Sequence, residues 1–151
     1  MRIRDIMTKD PEACLASASC AEAIEIMRRR KCGFVPIVDS HASRRVIGVV
    51  TDRDIVLHLG HTDRSASQIA VEACMTREVK TVLPDADLED AARVMEAAAV
   101  HRVTVVESGT LVGVLSIKNI ALAARQQWAY AGPHVAERQM TEIIEAIAAA
   151  R

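Results

Sequence analysis

Short runs of β-branched and apolar residues punctuate this chain, and stretches with helical spacing separate them. Phe34–Val38, Val46–Val50, Val103–Val106 and Leu111–Leu115 read as buried strands. Ala23, Ile24 and Met27 mark one helix face that should be buried, and Leu88, Ala91, Ala92, Met95 and Ala98 mark a second. Capping signals set the helix starts: Ser19 with Glu22, Thr51 with Asp54, and Asp87 with Asp90 each put an acid three residues after a cap. Arg28-Arg29-Arg30-Lys31 closes the first helix, where cations suit the negative end of its dipole, and Gly33 is expected to stop it. The pattern predicts an extended lead-in over Met1–Lys9 with a turn at Asp10-Pro11. A strand at Ala13–Leu15, a helix from Ser19, a hairpin and a helix from Asp52 to about Leu59 follow. After a polar, turn-rich stretch come a strand over Lys80–Leu83, a helix capped at Asp87, a second hairpin and a helix opened by Ser116. Gly132-Pro133 breaks the chain, and Met140, Ile143, Ile144 and Ile147 give His134–Arg151 the spacing of a separate amphipathic helix.

The two halves repeat one another. Met7-Thr8 matches Met75-Thr76, Met27 matches Met95, and Val35–Asp39 matches Val103–Glu107, all at an offset of 68. Gly48 matches Gly113 at an offset of 65, because the hairpin loop Ser40–Arg45 shortens by three residues to Ser108–Thr110. A repeat kept in register around one small deletion implies two similar β-α-β-β-α units stacked together. The expected organisation is a first repeat over 1–60, a linker over 61–67, a second repeat over 68–125 and a C-terminal helical extension over 126–151.

Composition narrows the function. Half of the 151 residues are hydrophobic and only 2% are aromatic, so the core must be aliphatic. A net charge of −1 offers nothing to nucleic acid or an anionic membrane. No apolar run approaches the roughly 20 residues of a membrane span, and the N-terminus lacks a secretory apolar segment, so the cytoplasm is expected. The four cysteines, at 14, 20, 32 and 74, form no C-x-x-C pair and fit no zinc spacing, which leaves them as reduced thiols packed like small hydrophobes. A Walker A loop, a nucleophile elbow and a metal cluster are all missing, so no catalytic activity is expected.

One stretch carries the candidate chemistry. Val46–Val50 is interrupted by Gly48, and glycine within a strand marks the close approach of another backbone or of a ligand. Thr51 and Asp54 follow at a corner where a helix begins, a geometry that aims free backbone N–H groups at one spot and suits a phosphate. Taken alone, the same pair reads first as a helix capping box and nothing more; the repeat around it favours a site.

These features resemble the CBS (cystathionine-β-synthase) domain family. The carriers are Met7-Thr8, Phe34–Asp39 and Gly48–Asp54, then Met75-Thr76, His101–Glu107 and Gly113–Ile120, so the likeness runs from residue 4 to residue 123. It implies an α+β fold of two tandem repeats packed with pseudo-two-fold symmetry, a Bateman module, with adenosine ligands in clefts between the repeats. AMP is the first candidate, with ADP, ATP, NAD and S-adenosylmethionine as further ones. The resemblance further implies a homodimer, a sensing role without catalysis, and an unidentified regulated protein as partner. A structural dimerisation module with empty clefts is the alternative.

Residue chemistry fits that implication. A ribose presents two neighbouring hydroxyls, and the Asp54 carboxylate can accept from both. Thr51 offers a hydroxyl to a phosphate, and Val35-Pro36 with Ala13-Cys14 are expected to line an adenine slot, Pro36 freeing a carbonyl from the ladder. In the second repeat Asn119 stands for the acid and Thr104 for the proline, while Ser116 keeps a hydroxyl. His101-Arg102 sits where relatives such as the gamma subunits of AMP-activated protein kinase place a His-Arg pair against phosphates; a solvated helix-to-strand corner is the other reading. Thr81 and Val103 complete the candidate set.

Overall fold

The structure is a computed structural model, and it describes residues 1–131 together with residues 141, 142, 144 and 145. In chain order the elements are α1 (Ile3–Ile6), β1 (Thr8–Lys9), β2 (Cys14–Leu15), α2 (Cys20–Arg30), β3 (Phe34–Val38), β4 (Val46–Thr51) and α3 (Asp52–Leu59). Then come β5 (Thr81–Val82), α4 (Leu88–Ala97), β6 (Arg102–Glu107), β7 (Thr110–Ser116) and α5 (Ile117–Ala131). Two short 3-10 turns, Ala66–Gln68 and Val71–Ala73, lie between α3 and β5. The order β-α-β-β-α therefore occurs twice, as β2-α2-β3-β4-α3 and β5-α4-β6-β7-α5. The chain divides into two compact units. The first-repeat unit holds Pro11–Val79 with Ser108–Leu111; the second-repeat unit holds Met1–Asp10, Lys80–Glu107 and the described residues from Val112 on.

In the first-repeat unit β2 runs parallel to β3, pairing Cys14 with Ile37, and β3 runs antiparallel to β4, pairing Val35 with Val50. Helix α2 opens on a closed capping box: the Ser19 N–H donates to the Glu22 carboxylate at 2.7 Å, and the Glu22 N–H donates to Ser19 Oγ at 3.2 Å. Its inner face is Cys20, Ala23 and Met27, with Ile26 partly buried beside them. Ile24, expected on that face, is 39% exposed, because the buried stripe is centred on Ala23, Ile26 and Met27. Gly33 does not stop the helix. Lys31 does, in the left-handed conformation at φ 51°, with its N–H donating to the Met27 carbonyl. Gly33 is needed for closeness: a Cβ there would stand 2.5 Å from a carboxylate oxygen of Asp52.

In the second-repeat unit the strand order is β1-β7-β6-β5, with β1 antiparallel to β7 and β5 parallel to β6. The lead-in is not extended throughout. Ile3–Ile6 makes one helical turn, because the Asp5 carboxylate accepts from the Arg2 N–H at 3.3 Å and Ile3 is wholly buried. The Ile3 and Arg4 N–H groups donate to the carbonyls of Ala86 and Pro84, at 3.1 and 2.9 Å. On α4, Ala91 and Met95 are fully buried, with Leu88 and Ala92 packed against them. Ser108 and Gly109 both take positive φ, as a two-residue hairpin turn between β6 and β7 requires.

The strand glycines serve close backbone approach. A Cβ at Gly48 would meet the Thr76 carbonyl oxygen at 3.1 Å, and one at Gly113 would meet the Thr8 carbonyl oxygen at 3.1 Å. Thr76 pairs antiparallel with Val49, and Thr8 with Val114. These pairs are equivalent under the repeat, so each lead-in lies beside the glycine-bearing strand of the other repeat's sequence.

Both hydrophobic clusters are aliphatic. Gly132-Pro133, Met140, Ile143 and Ile147 lie outside the described residues, as does most of the expected helix His134–Arg151. Thr141, Glu142, Ile144 and Glu145 are helical, and Ile144 is 45% exposed. Among the described residues, no helix is long and apolar enough to cross a membrane.

Candidate functional site

Thr51 ends β4 in extended conformation and caps α3. Its N–H and its hydroxyl both donate to Asp54 Oδ2, at 2.9 and 2.7 Å, and the Asp54 N–H donates back to Thr51 Oγ1 at 3.2 Å. The capping box is therefore closed through one carboxylate oxygen, Oδ2, and these bonds leave Oδ1 of the half-buried Asp54 unused. The expectation of free N–H groups at this corner is overturned. The Asp52 N–H donates to the Gly33 carbonyl at 3.3 Å, the Arg53 N–H to Asp52 Oδ1 at 2.9 Å, and the Asp54 N–H to Thr51. Side chains and a neighbouring carbonyl satisfy the first turn before any anion arrives.

The second repeat builds the same corner with an amide. The Ser116 N–H and hydroxyl donate to Asn119 Oδ1, at 3.0 and 2.6 Å, and the Asn119 N–H donates to Ser116 Oγ at 3.3 Å. Asn119 Nδ2, the counterpart of the unused Asp54 oxygen, donates to Thr8 Oγ1 at 3.3 Å. His101 and Arg102 are both exposed at the start of β6, and the His101 carbonyl accepts from the Ile117 N–H at 3.2 Å, as Gly33 does from Asp52.

The strands differ at one informative position. In the second-repeat unit, Thr81 pairs with Thr104, and the Lys80 carbonyl accepts from both the N–H and the hydroxyl of Thr104, each at 3.2 Å. In the first-repeat unit the parallel pairing starts one residue later, at Cys14 and Ile37. The position of Thr104 is held by Pro36, which has no N–H to offer the Glu12 carbonyl.

The apolar candidates are core residues by their side chains: Val35 is 0% exposed, Val103 1% and Cys14 4%, and Pro36 is buried too. Ala13 and Cys14 also line a groove of about 480 Å³ between strand β2 and helix α2, together with Glu22, Ile26, Arg29 and His41. Thr51, Asp54, Val35 and Pro36 are not among its lining residues. Sequence reasoning missed Glu12, whose carboxylate pairs with both Arg29 and Arg30; Arg29 above all holds it below the usual carboxylate range. Arg28 likewise forms an ion pair with Glu25, so each of the three arginines at this helix end is paired within the chain. Nothing in local spacing announces a pair 17 residues apart. Burial pushes the Cys14 thiol up to about 11. Among the described residues, no group of three or more His, Cys, Asp or Glu side chains could hold a metal.

The CBS domain family model matches residues 3–61 and again residues 69–125. The chain belongs to the CBS domain family. It is similar to the uncharacterized protein YlbB of Bacillus subtilis, 29% identical over 122 residues that make up 81% of each chain. Among solved structures it is similar to CBSX2 in complex with AMP, with a TM-score of 0.70, 28% identity, and coverage of 83% of this chain and 97% of that one. It is also similar to the CBS domain pair of protein MJ0100 in complex with 5-methylthioadenosine and S-adenosyl-L-methionine, with a TM-score of 0.73, 26% identity, and coverage of 84% and 98%. The tandem CBS architecture expected from sequence is thus the fold of this chain.

Proposed function

We propose that this chain is a regulatory module that binds an adenosine ligand through its first repeat and reports occupancy to a protein partner. AMP is the first candidate; ATP, NAD and S-adenosylmethionine share the adenosine that the site would read. The observation that carries the reading is the Thr51–Asp54 corner, where the cap uses only one oxygen of the acid. Asp54 Oδ1 is an acceptor for ribose hydroxyls in charge-assisted hydrogen bonds. The Glu12 carbonyl, beyond the reach of any N–H from Pro36, is an acceptor for the exocyclic amine of adenine. Relatives of the same fold in complex with AMP and with S-adenosylmethionine support this ligand class. The role is a binding one without catalysis. A thermal-shift panel of AMP, ATP, NAD and S-adenosylmethionine tests the reading, because a ligand that binds only the native state raises Tm. At least one member should do so in a concentration-dependent way; a flat response to all four overturns the reading.

The second reading is a structural homodimer module whose clefts stay empty. Val56 and Leu57 on α3 favour it, being 66% and 54% exposed, with Ile24 on α2 at 39%. Light scattering decides on the dimer: a monomer at working concentration removes it, and Val56→Glu should dissociate a dimer that uses α3.

A further inference from the structure

Cysteine usage is left unexplained by nucleotide binding. All four cysteines are free, but Cys20 and Cys74 are not apart: their sulfurs touch at 3.5 Å, although the residues lie 54 positions apart in sequence. Cys20 opens α2 and is 1% exposed, whereas Cys74 follows the 3-10 turn Val71–Ala73 and is only half-buried.

Several backbone bonds fix the two segments against each other. The Cys20 N–H donates to the Ile69 carbonyl at 2.8 Å, the Val71 N–H to the Ala18 carbonyl at 2.8 Å, and the Glu72 N–H to the Ala16 carbonyl at 3.0 Å. Two sulfurs held in contact by such a frame need only approach to the bond length of roughly 2.05 Å, largely by side-chain rotation.

We propose that Cys20 and Cys74 form an oxidisable thiol pair, a redox modification site in which Cys74, reached from solvent, is the attacking thiol and Cys20 resolves the intermediate. The co-reactant is a low-molecular-weight disulfide. The Cys74 thiolate attacks one of its sulfurs, forming a mixed disulfide and expelling one small thiolate. The Cys20 sulfur, losing its proton, then attacks the Cys74 sulfur, and the second small thiol leaves. The two protein thiols are oxidised by two electrons in total, and the small disulfide is reduced to two thiols. Burial, the hydrogen bond with Cys20 of α2 and the charge of Asp54 in α3 push the Cys74 thiol up to about 12. Exchange is therefore slow at neutral pH and quickens as pH rises, since the thiolate is the nucleophile.

The link has a mechanical consequence. Cys74 leads straight into Met75-Thr76, and Thr76 exchanges two backbone hydrogen bonds with Val49 of β4, at 2.8 and 2.9 Å. Oxidation clamps the start of α2 to the segment that edges β4, two residues before Thr51. This does not depend on whether a nucleotide binds.

The test incubates the full chain with excess oxidised glutathione at mildly alkaline pH, blocks remaining thiols and maps the peptides by mass spectrometry. The expected result is a Cys20–Cys74 cross-link, an intact mass lower by two hydrogen atoms, and a Tm raised by roughly 5–10 °C and restored by dithiothreitol. Cys20→Ser should trap one glutathione on Cys74; the map of the parent chain decides alone if that variant does not fold. A stable glutathione adduct on Cys74 of the parent with Cys20 still open to alkylation overturns the proposal. A cross-link from Cys20 to Cys14 or Cys32 does the same.

Discussion

Asp54 and Asn119 differ in one atom at the free end of the same cap. In each, one side-chain oxygen accepts from the N–H and hydroxyl of the capping residue. The other end is an acceptor in Asp54 and a donor in Asn119. Asp54→Asn should therefore keep the capping box, as Asn119 does in the second repeat, and lower stability by no more than about 0.3–1 kcal/mol for the charge lost at the helix N-terminus. It removes the acceptor and the charge for ribose hydroxyls, and hydrogen bonds to a charged group are worth about 1.5–3 kcal/mol. AMP affinity measured by calorimetry should then fall by about tenfold to a few hundredfold. Asp54→Ala removes the reciprocal half of the capping box together with the acceptor, so it should also lower stability by about 1 kcal/mol, the value of a typical hydrogen bond. If Asp54→Asn binds AMP as the parent does, the acid is a cap and no more. Glu22 offers a residue-scale test by pH. The backbone N–H and hydroxyl of Ser19 hold its carboxyl below its ordinary 4.5. A carboxyl depressed on folding stabilises the native state above its unfolded pKa, and that stabilisation disappears as pH falls through the folded value. Urea midpoints of the parent should drop as pH falls below about 4.5, and Glu22→Gln should lower the neutral midpoint and flatten that acid limb.

Strands β3 and β6 are the same element with one residue changed. Thr104 closes the ladder onto the Lys80 carbonyl, and Pro36 leaves the Glu12 carbonyl without that donor. Pro36→Thr should copy the second repeat, holding or raising stability while lowering AMP affinity by about fivefold, the value of one neutral hydrogen bond. Calorimetry showing unchanged AMP affinity alongside a formed ladder bond would remove adenine from that carbonyl. What was legible in the sequence was local or periodic. Three capping boxes, both hairpins and the 68-residue register could be read because their signals lie within a few residues or recur. What was not legible depends on distant partners. The turn Ile3–Ile6 exists because Ile3 is buried among residues beyond 80, and Gly33 is small because Asp52 comes close. Arg29 and Arg30 read as a solvated helix end until Glu12, far back in sequence, is seen to pair with them.

At the scale of the whole molecule, chain order and packing part company. Residues 1–10 open the first repeat in sequence but belong to the second-repeat unit, where β1 edges β7 and Ile3 is fully buried. Burying one such side chain contributes about 1.5–3 kcal/mol, a large share of the 5–15 kcal/mol that typically separates folded from unfolded chains. Removing Met1–Asp10 strips the strand that pairs with Val114 and exposes the cluster around Met95, Val105 and Leu115. The deletion should therefore loosen residues 80–120 and spare residues 20–59, whose partners are intact. Hydrogen exchange read by mass spectrometry separates the two regions, since amides lose protection where local opening becomes easier. Ile3→Ala is the milder version and should cost about 2–5 kcal/mol with the same pattern of lost protection. Loss of protection confined to α2, β3 and β4 would mean that the lead-in stabilises the repeat it opens, against the packing of Ile3 and the pairing of Thr8 with Val114.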